Sequence, residues 1–236
     1  MNHPIFGSIE QDEQWRDLGW WNGRVQVPFF SGYDTVASDK AAELSGTKNW
    51  QKSPDDRHER GDFELCVINE AGGEPSAQQE RVFVHFLENQ DTICNAVIQT
   101  IFRYYQSNWG YWRSGDAGHD LSIPELQSLS DLKTVVRFAG LYVYDDSNGG
   151  GAILGFCFEC TWDIEHGLGV LVRDGRVIKL GENDICWSGP TAAGLPFALD
   201  SDPAMQTSEQ KAIAAAKVLE QKTGRHDQST RRRGDA

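Results

Sequence analysis

Two hydrophobic rhythms divide the chain. In its middle, apolar residues recur three and four apart; toward residue 180 they recur two apart. The first rhythm runs through Ile93, Val97, Ile98, Ile101, Phe102 and Tyr105. On a helix these positions form one wide apolar stripe, so the spacing predicts a helix over about 92–106, capped by Asp91. An earlier helix over about 77–89 follows Ser76 as its cap, with Phe83, Phe86 and Leu87 on one side. Such stripes need an apolar surface to cover, and a sheet supplies one.

The second rhythm is that of strands. Candidate strands cover 63–68, 135–144, 153–162, 168–173 and 177–180. Phe156, Phe158, Cys160 and Trp162 fall on one face by alternation. Asp174-Gly175 separates the last two strands and is a strong hairpin signal, because both residues accept the positive φ of a type I′ turn. Near the N-terminus, Asn22-Gly23 within the β-prone 20–27 stretch reads the same way, and Pro28 marks a strand end. Ser122 and Glu125 have capping-box spacing and predict a short helix to about residue 130. The expected architecture is α+β: an antiparallel β-sheet of short strands and tight turns, with helices packed on one face. A single domain is expected over 1–199, with a polar insertion near 34–61. Residues 200–236 are expected to add an Ala-rich helix and a flexible, disordered tail.

Charge sharpens this picture. The formal net charge is −13. Residues 200–236 hold seven Lys/Arg and six Asp/Glu, a net of +1, so residues 1–199 carry −14. Such a body repels nucleic-acid phosphates and anionic membrane surfaces, and it attracts a basic partner. With no run of about 18 apolar residues, no transmembrane helix is expected, and the first residues do not read as a secretory signal. The five cysteines are odd in number and irregular in spacing, which favours reduced thiols and a cytoplasmic setting over a disulfide framework.

The densest chemistry lies in Cys160-Thr161-Trp162-Asp163-Ile164-Glu165-His166-Gly167-Leu168-Gly169-Val170. Asp and Gly suit a turn between strands: Asp163 reaches nearby backbone N–H groups, and Gly167 accepts positive φ. Three uses compete. Asp163, Glu165 and His166 offer two oxygens and an imidazole to a metal, with His85 or His119-Asp120 as further donors. Glu165 and His166 could act as an acid/base pair, although neighbours on an extended chain face opposite ways. Alternatively the turn is a conformational lock, with Asp163 capping, His166 donating to a backbone carbonyl and Trp162 filling the core. Cys157-x-x-Cys160 has redox or zinc spacing, yet on a strand the two thiols face opposite sides. Trp109, Tyr111 and Trp112 form an aromatic segment, read as a loop after the long helix, and are of residue types that anchor interfaces. Asn148-Gly149-Gly150-Gly151 lacks the Lys-Ser/Thr of a phosphate-binding loop.

The C-x-W-D-x-E-H-G-x-G-V string, the D-G hairpin after it and Gly181-Glu182-Asn183-Asp184 resemble a bacterial domain family of unknown function. The helix ending Phe102-Arg103-Tyr104-Tyr105 is similar to the same family, and the likeness spans about residues 5–190. Trp162, Asp163, Glu165, His166, Gly167 and Gly169 match its motif. Some members look like immunity proteins of toxin systems, and no catalytic residue is implied. The resemblance and the acidic body together imply a binding protein, an immunity or regulatory factor, that docks on a basic protein such as a toxin. Its binding residues would be Trp162, Asp163, Glu165, His166, Trp109, Tyr111 and Trp112, with no cofactor. The alternatives are a metal-dependent enzyme centred on Asp163, Glu165 and His166, and a scaffold in which the motif only stabilises the fold.

Overall fold

The computed structural model describes residues 1–33, 61–114, 124–146, 151–163 and 165–188, with backbone alone for 111–114 and 146. In chain order the strands and helices are β1 (Asn2–His3), β2 (Gly7–Ser8), β3 (Glu10–Gln11), β4 (Trp20–Gln26), β5 (Asp62–Asn69), α1 (Ala77–Glu88), α2 (Gln90–Ser114), β6 (Val136–Asp146), β7 (Gly151–Cys160), β8 (Leu168–Arg173), β9 (Arg176–Gly181) and the one-turn α3 (Ile185–Ser188). Strands β3 to β9 lie side by side in sequence order as one seven-stranded sheet. The expected α+β architecture holds.

The sheet is mixed at one place: β5 and β6 run parallel, and every other neighbouring pair is antiparallel. A tight turn cannot join parallel strands, so the chain crosses over through α1 and α2. Gln79, fully buried, secures that crossover. Its Nε2 donates to the Ile68 carbonyl on β5 at 2.8 Å and to the Val143 carbonyl on β6 at 2.9 Å. Its Oε1 accepts from the Ser76 N–H at 2.9 Å, completing the capping box of α1.

Helix α1 packs on β6 and β7, and α2 on β9 and on the 3-10 turn Pro28–Phe30. The core beneath them is aromatic. Phe30 stacks on Phe138 at 4.3 Å between centroids, Phe63 meets Phe138 edge-on at 4.8 Å, and Phe86 meets Phe156 at 5.7 Å. Such ring pairs add stability beyond the area they bury. Helix α3 covers the opposite face: a Cβ on Gly155 would lie 3.0 Å from Cys186, while the next residue, Phe156, points to α1.

Several local expectations are corrected. Asn22-Gly23 is not a hairpin turn but the middle of β4, where the absent Cβ of Gly23 leaves room for the Ile9 side chain, 2.7 Å from where a Cβ would stand. Helix α2 is longer than its apolar stripe: Asp91 lies in its first turn instead of capping it, and the helix runs on through Trp109, Tyr111 and Trp112, the segment read as a loop. Leu87 is exposed, whereas Phe83 and Phe86 are buried. The short helix expected to about residue 130 is not formed over the described part: 124–127 are irregular, and a capping box at Ser128 and Asp131 heads the 3-10 turn Leu129–Thr134, while the Ser122 cap lies outside the described residues. The Asp174-Gly175 hairpin is as expected, with φ of 50° and 72°. The 34–60 part of the polar insertion, the Asn148–Gly150 run and the 200–236 tail also lie outside the described residues.

Candidate functional site

The C-terminal end of β7 leads through Thr161 and Trp162 into the turn that starts β8. Trp162 is buried and meets Tyr105 of α2 edge-on at 5.0 Å, so the turn is anchored on the helix. Cys160 donates from its thiol to the Asp163 carbonyl at 3.4 Å. Asp163 Oδ1 accepts from the His166 backbone N–H at 3.1 Å and pairs with His166 Nδ1 at 3.0 Å. The Gly167 N–H donates to the Asp163 carbonyl at 3.0 Å, closing the turn with Gly167 at φ 62°.

A second loop completes the site. The Asn183 N–H donates to the His166 carbonyl at 3.0 Å. This bond brings Glu182, just past β9, beside the turn. One side-chain donor atom from each of Asp163, His166 and Glu182 lies within 4.8 Å of the others. All three side chains meet solvent, His166 more openly than Asp163 at 54% against 34%, and Glu182 is exposed as well. The Asp163 hydrogen bond, then the charges of Asp163, Glu182 and Glu165, hold the imidazole pKa above its ordinary range. Tyr104 of α2 faces the same group. Burial first, and then the negative charges of Asp163 and Glu182, push its phenol up.

Of the residues expected at the site, Asp163 and His166 are brought together and Trp162 supports them from below. Glu165 is exposed next to them, but Glu182 takes its place in the cluster. Among the described residues, the ring of His166 pairs with Asp163 and not with the backbone carbonyl of the conformational-lock reading. His85 is elsewhere. It lines a cavity of about 230 Å³ with Gln78, Arg81, Leu154, Val172 and Asp174, beside the β8–β9 hairpin at the far end of β8. His119 and Asp120 are outside the described residues. Cys157 and Cys160 are not paired: Cys160 serves the turn, while Cys157 meets Cys186 of α3 on the other face. All five thiols are free and buried. Trp109 is half-buried on α2, and the side chains of Tyr111 and Trp112 are not among those described.

Glu182 escaped the sequence reading because its place depends on the register of the β8–β9 hairpin. Counting outward from the two-residue turn assumes a regular ladder, and this one slips by a residue between Leu171 and Val172. The cluster offers two carboxylates and an imidazole at the surface, held by backbone bonds. It suits a cationic group of a partner, and its donor types also suit a divalent cation.

Among the described residues, no helix is long and apolar enough to cross a membrane. No curated protein and no solved structure matches the chain. A family profile matches residues 43–187, more than half the chain, and takes in β5 to β9, α1, α2, all but the last residue of α3 and the whole Asp163–His166–Glu182 cluster. The chain belongs to the family described as a domain of unknown function (DUF6985).

Proposed function

We propose that this is a recognition protein, an immunity or regulatory factor of bacterial type, that docks on a basic protein partner. The observation that carries this reading is the exposed Asp163–His166–Glu182 cluster, with Glu165 beside it, on a body of net charge −14 over residues 1–199. The cluster is preordered by backbone bonds, so little conformational freedom is lost when a partner's Lys or Arg arrives. Long-range attraction by the acidic body speeds the encounter and makes it salt-sensitive.

The test is fluorescence anisotropy with a labelled alternating Gly-Lys peptide across a salt series. Binding at low ionic strength that weakens with salt, and weakens further in a D163N/E182Q variant, supports the reading. Binding that ignores both salt and variant removes its basis.

A second reading has the same three residues hold a divalent cation, as in a metal-dependent enzyme, with Glu182 in the role first given to Glu165. It is favoured by donor atoms within 4.8 Å of one another. Calorimetric titration with Zn²⁺ decides it: heat of binding that survives E165Q and disappears in E182Q supports this version, and no heat in the native chain rejects it.

A further inference from the structure

The sheet face opposite α1 and α2 carries a continuous line of aromatic rings. Trp15, in the loop between β3 and β4, lies 6.4 Å from Trp20. Trp20 meets Tyr142 of β6 edge-on at 6.2 Å, and Tyr142 lies 5.8 Å from Trp187 of α3. The two ends are open: Trp15 is 45% exposed and Trp187 36%, and Leu18 extends the Trp15 end at 47%. Trp20 and Tyr142 between them are half-buried. A run of large rings left this accessible is costly in solution unless something covers it.

The strip is rigid. Trp20 Nε1 donates to Asn22 Oδ1 at 2.9 Å, and Asn22 Nδ2 donates to Asp12 Oδ2 at 2.9 Å. The other oxygen of Asp12 accepts the backbone N–H groups of Gln14 and Trp15. Asp12 thus fixes both tryptophans at one end. At the other end the Asp184 carbonyl accepts from the Trp187 N–H at 3.2 Å.

Carboxylates accompany the rings along the whole line. Asp12 stands at Trp15 and Trp20, exposed Glu64 acts on Tyr142, and exposed Asp184 lies one turn before Trp187. On the same face the Arg24 side chain is taken by Asp62, with Nε to Oδ1 at 3.1 Å. Exposed Arg16 is the one cationic neighbour within the Trp15–Trp20 loop. A purely apolar partner would strip water from these carboxylates without replacing it. A cationic partner satisfies both features, since ammonium and guanidinium groups are attracted to ring faces and to carboxylates.

We propose that the Trp15–Trp20–Tyr142–Trp187 strip is the docking surface for a Lys- and Arg-bearing segment of a partner protein. This rests on the basic-partner reading above and sets the contact on the aromatic strip, whose Trp187 end follows directly on Glu182 of the Asp163 cluster. Successive cations of an extended segment lie over successive rings, with Asp12, Glu64 and Asp184 as counter-charges.

The experiment uses the full chain with alternating Gly-Lys, Gly-Arg and Gly-Glu peptides, read by anisotropy and by tryptophan emission. Trp15 and Trp187 are surface residues, so W15A and W187A are built alongside W187F, and folding is checked by circular dichroism. Binding of both cationic peptides with a change in emission, weakened roughly fivefold in each alanine variant and restored in W187F, is the expected result; that factor is the worth of one exposed cation–π contact. Unchanged affinity in W15A and W187A overturns the strip as a docking surface. If D163N/E182Q loses affinity in that same experiment, the basic-partner reading survives without the strip. No binding of either cationic peptide at low ionic strength overturns both.

Discussion

The backbone N–H of Asn183 donates to the carbonyl of His166 at 3.0 Å, and this one bond ties the connection after β9 to the turn before β8. Both loops hang from the hairpin centred on Asp174-Gly175, so their meeting is a consequence of strand register. Glu182 reaches Asp163 and His166 because its neighbour is fixed in this way.

Gly167 is the residue on which the turn depends. At φ 62° any side chain is strained, and a Cβ there would lie 2.6 Å from the Phe158 carbonyl oxygen and 3.0 Å from Asn183 Nδ2. G167A is expected to cost about 2 kcal/mol, seen as a melting temperature lower by roughly 4–8 °C. An unaltered melt would mean that the turn relaxes at no cost.

His166 is expected to titrate above an ordinary histidine, because Asp163 bonds its ring and Asp163, Glu182 and Glu165 favour the charged form. A folded-state pKa above the unfolded value means the pairing stabilises fully below the unfolded pKa of about 6.5. That contribution fades as pH rises through the folded pKa. Ring-proton NMR should show the midpoint dropping in D163N and dropping less in E182Q. Equal midpoints in native chain and D163N would exclude the pairing.

Gln79 is expected to matter far more than its polar character suggests. Q79L leaves the Ile68 and Val143 carbonyls and the Ser76 N–H without their buried partner. Unsatisfied buried groups cost about 1–3 kcal/mol each, so chemical denaturation should show a loss of several kcal/mol. A loss below about 1 kcal/mol would show that water takes over these bonds.

The thiols are expected to be silent in the folded state. All five are buried, and burial, followed by the Glu64 charge, pushes Cys66 up to about 12. An aromatic disulfide reagent at mildly alkaline pH should find almost none in native protein and all five after unfolding, since only the thiolate reacts. Rapid native labelling would contradict the packing of Cys157 against Cys186.

The cluster and the strip were legible to different degrees. Asp163 and His166 stood out because only two residues separate them, and local geometry decides whether they meet. Trp15, Trp20, Tyr142 and Trp187 gave no such signal: they come from three distant stretches of chain and align only when β4, β5 and β6 pair and α3 folds onto the sheet. The end of α2 is not legible locally: Gly110 and the aromatics around it have the composition of a loop, while the helix continues through them.

By itself the sequence determined the periodic elements. The apolar stripe of α2, the Ser76 cap of α1, the alternation in β7 and the Asp174-Gly175 turn follow from side-chain spacing and backbone preference, which act over a few residues. Tertiary structure alone decided the parallel pairing of β5 with β6, the straight run of β4 through Asn22-Gly23, the entry of Glu182 into the Asp163–His166 pair, and the aromatic strip. Each of these depends on which surfaces meet across long stretches of chain, and burial, register and close approach select among arrangements that local preference leaves equal.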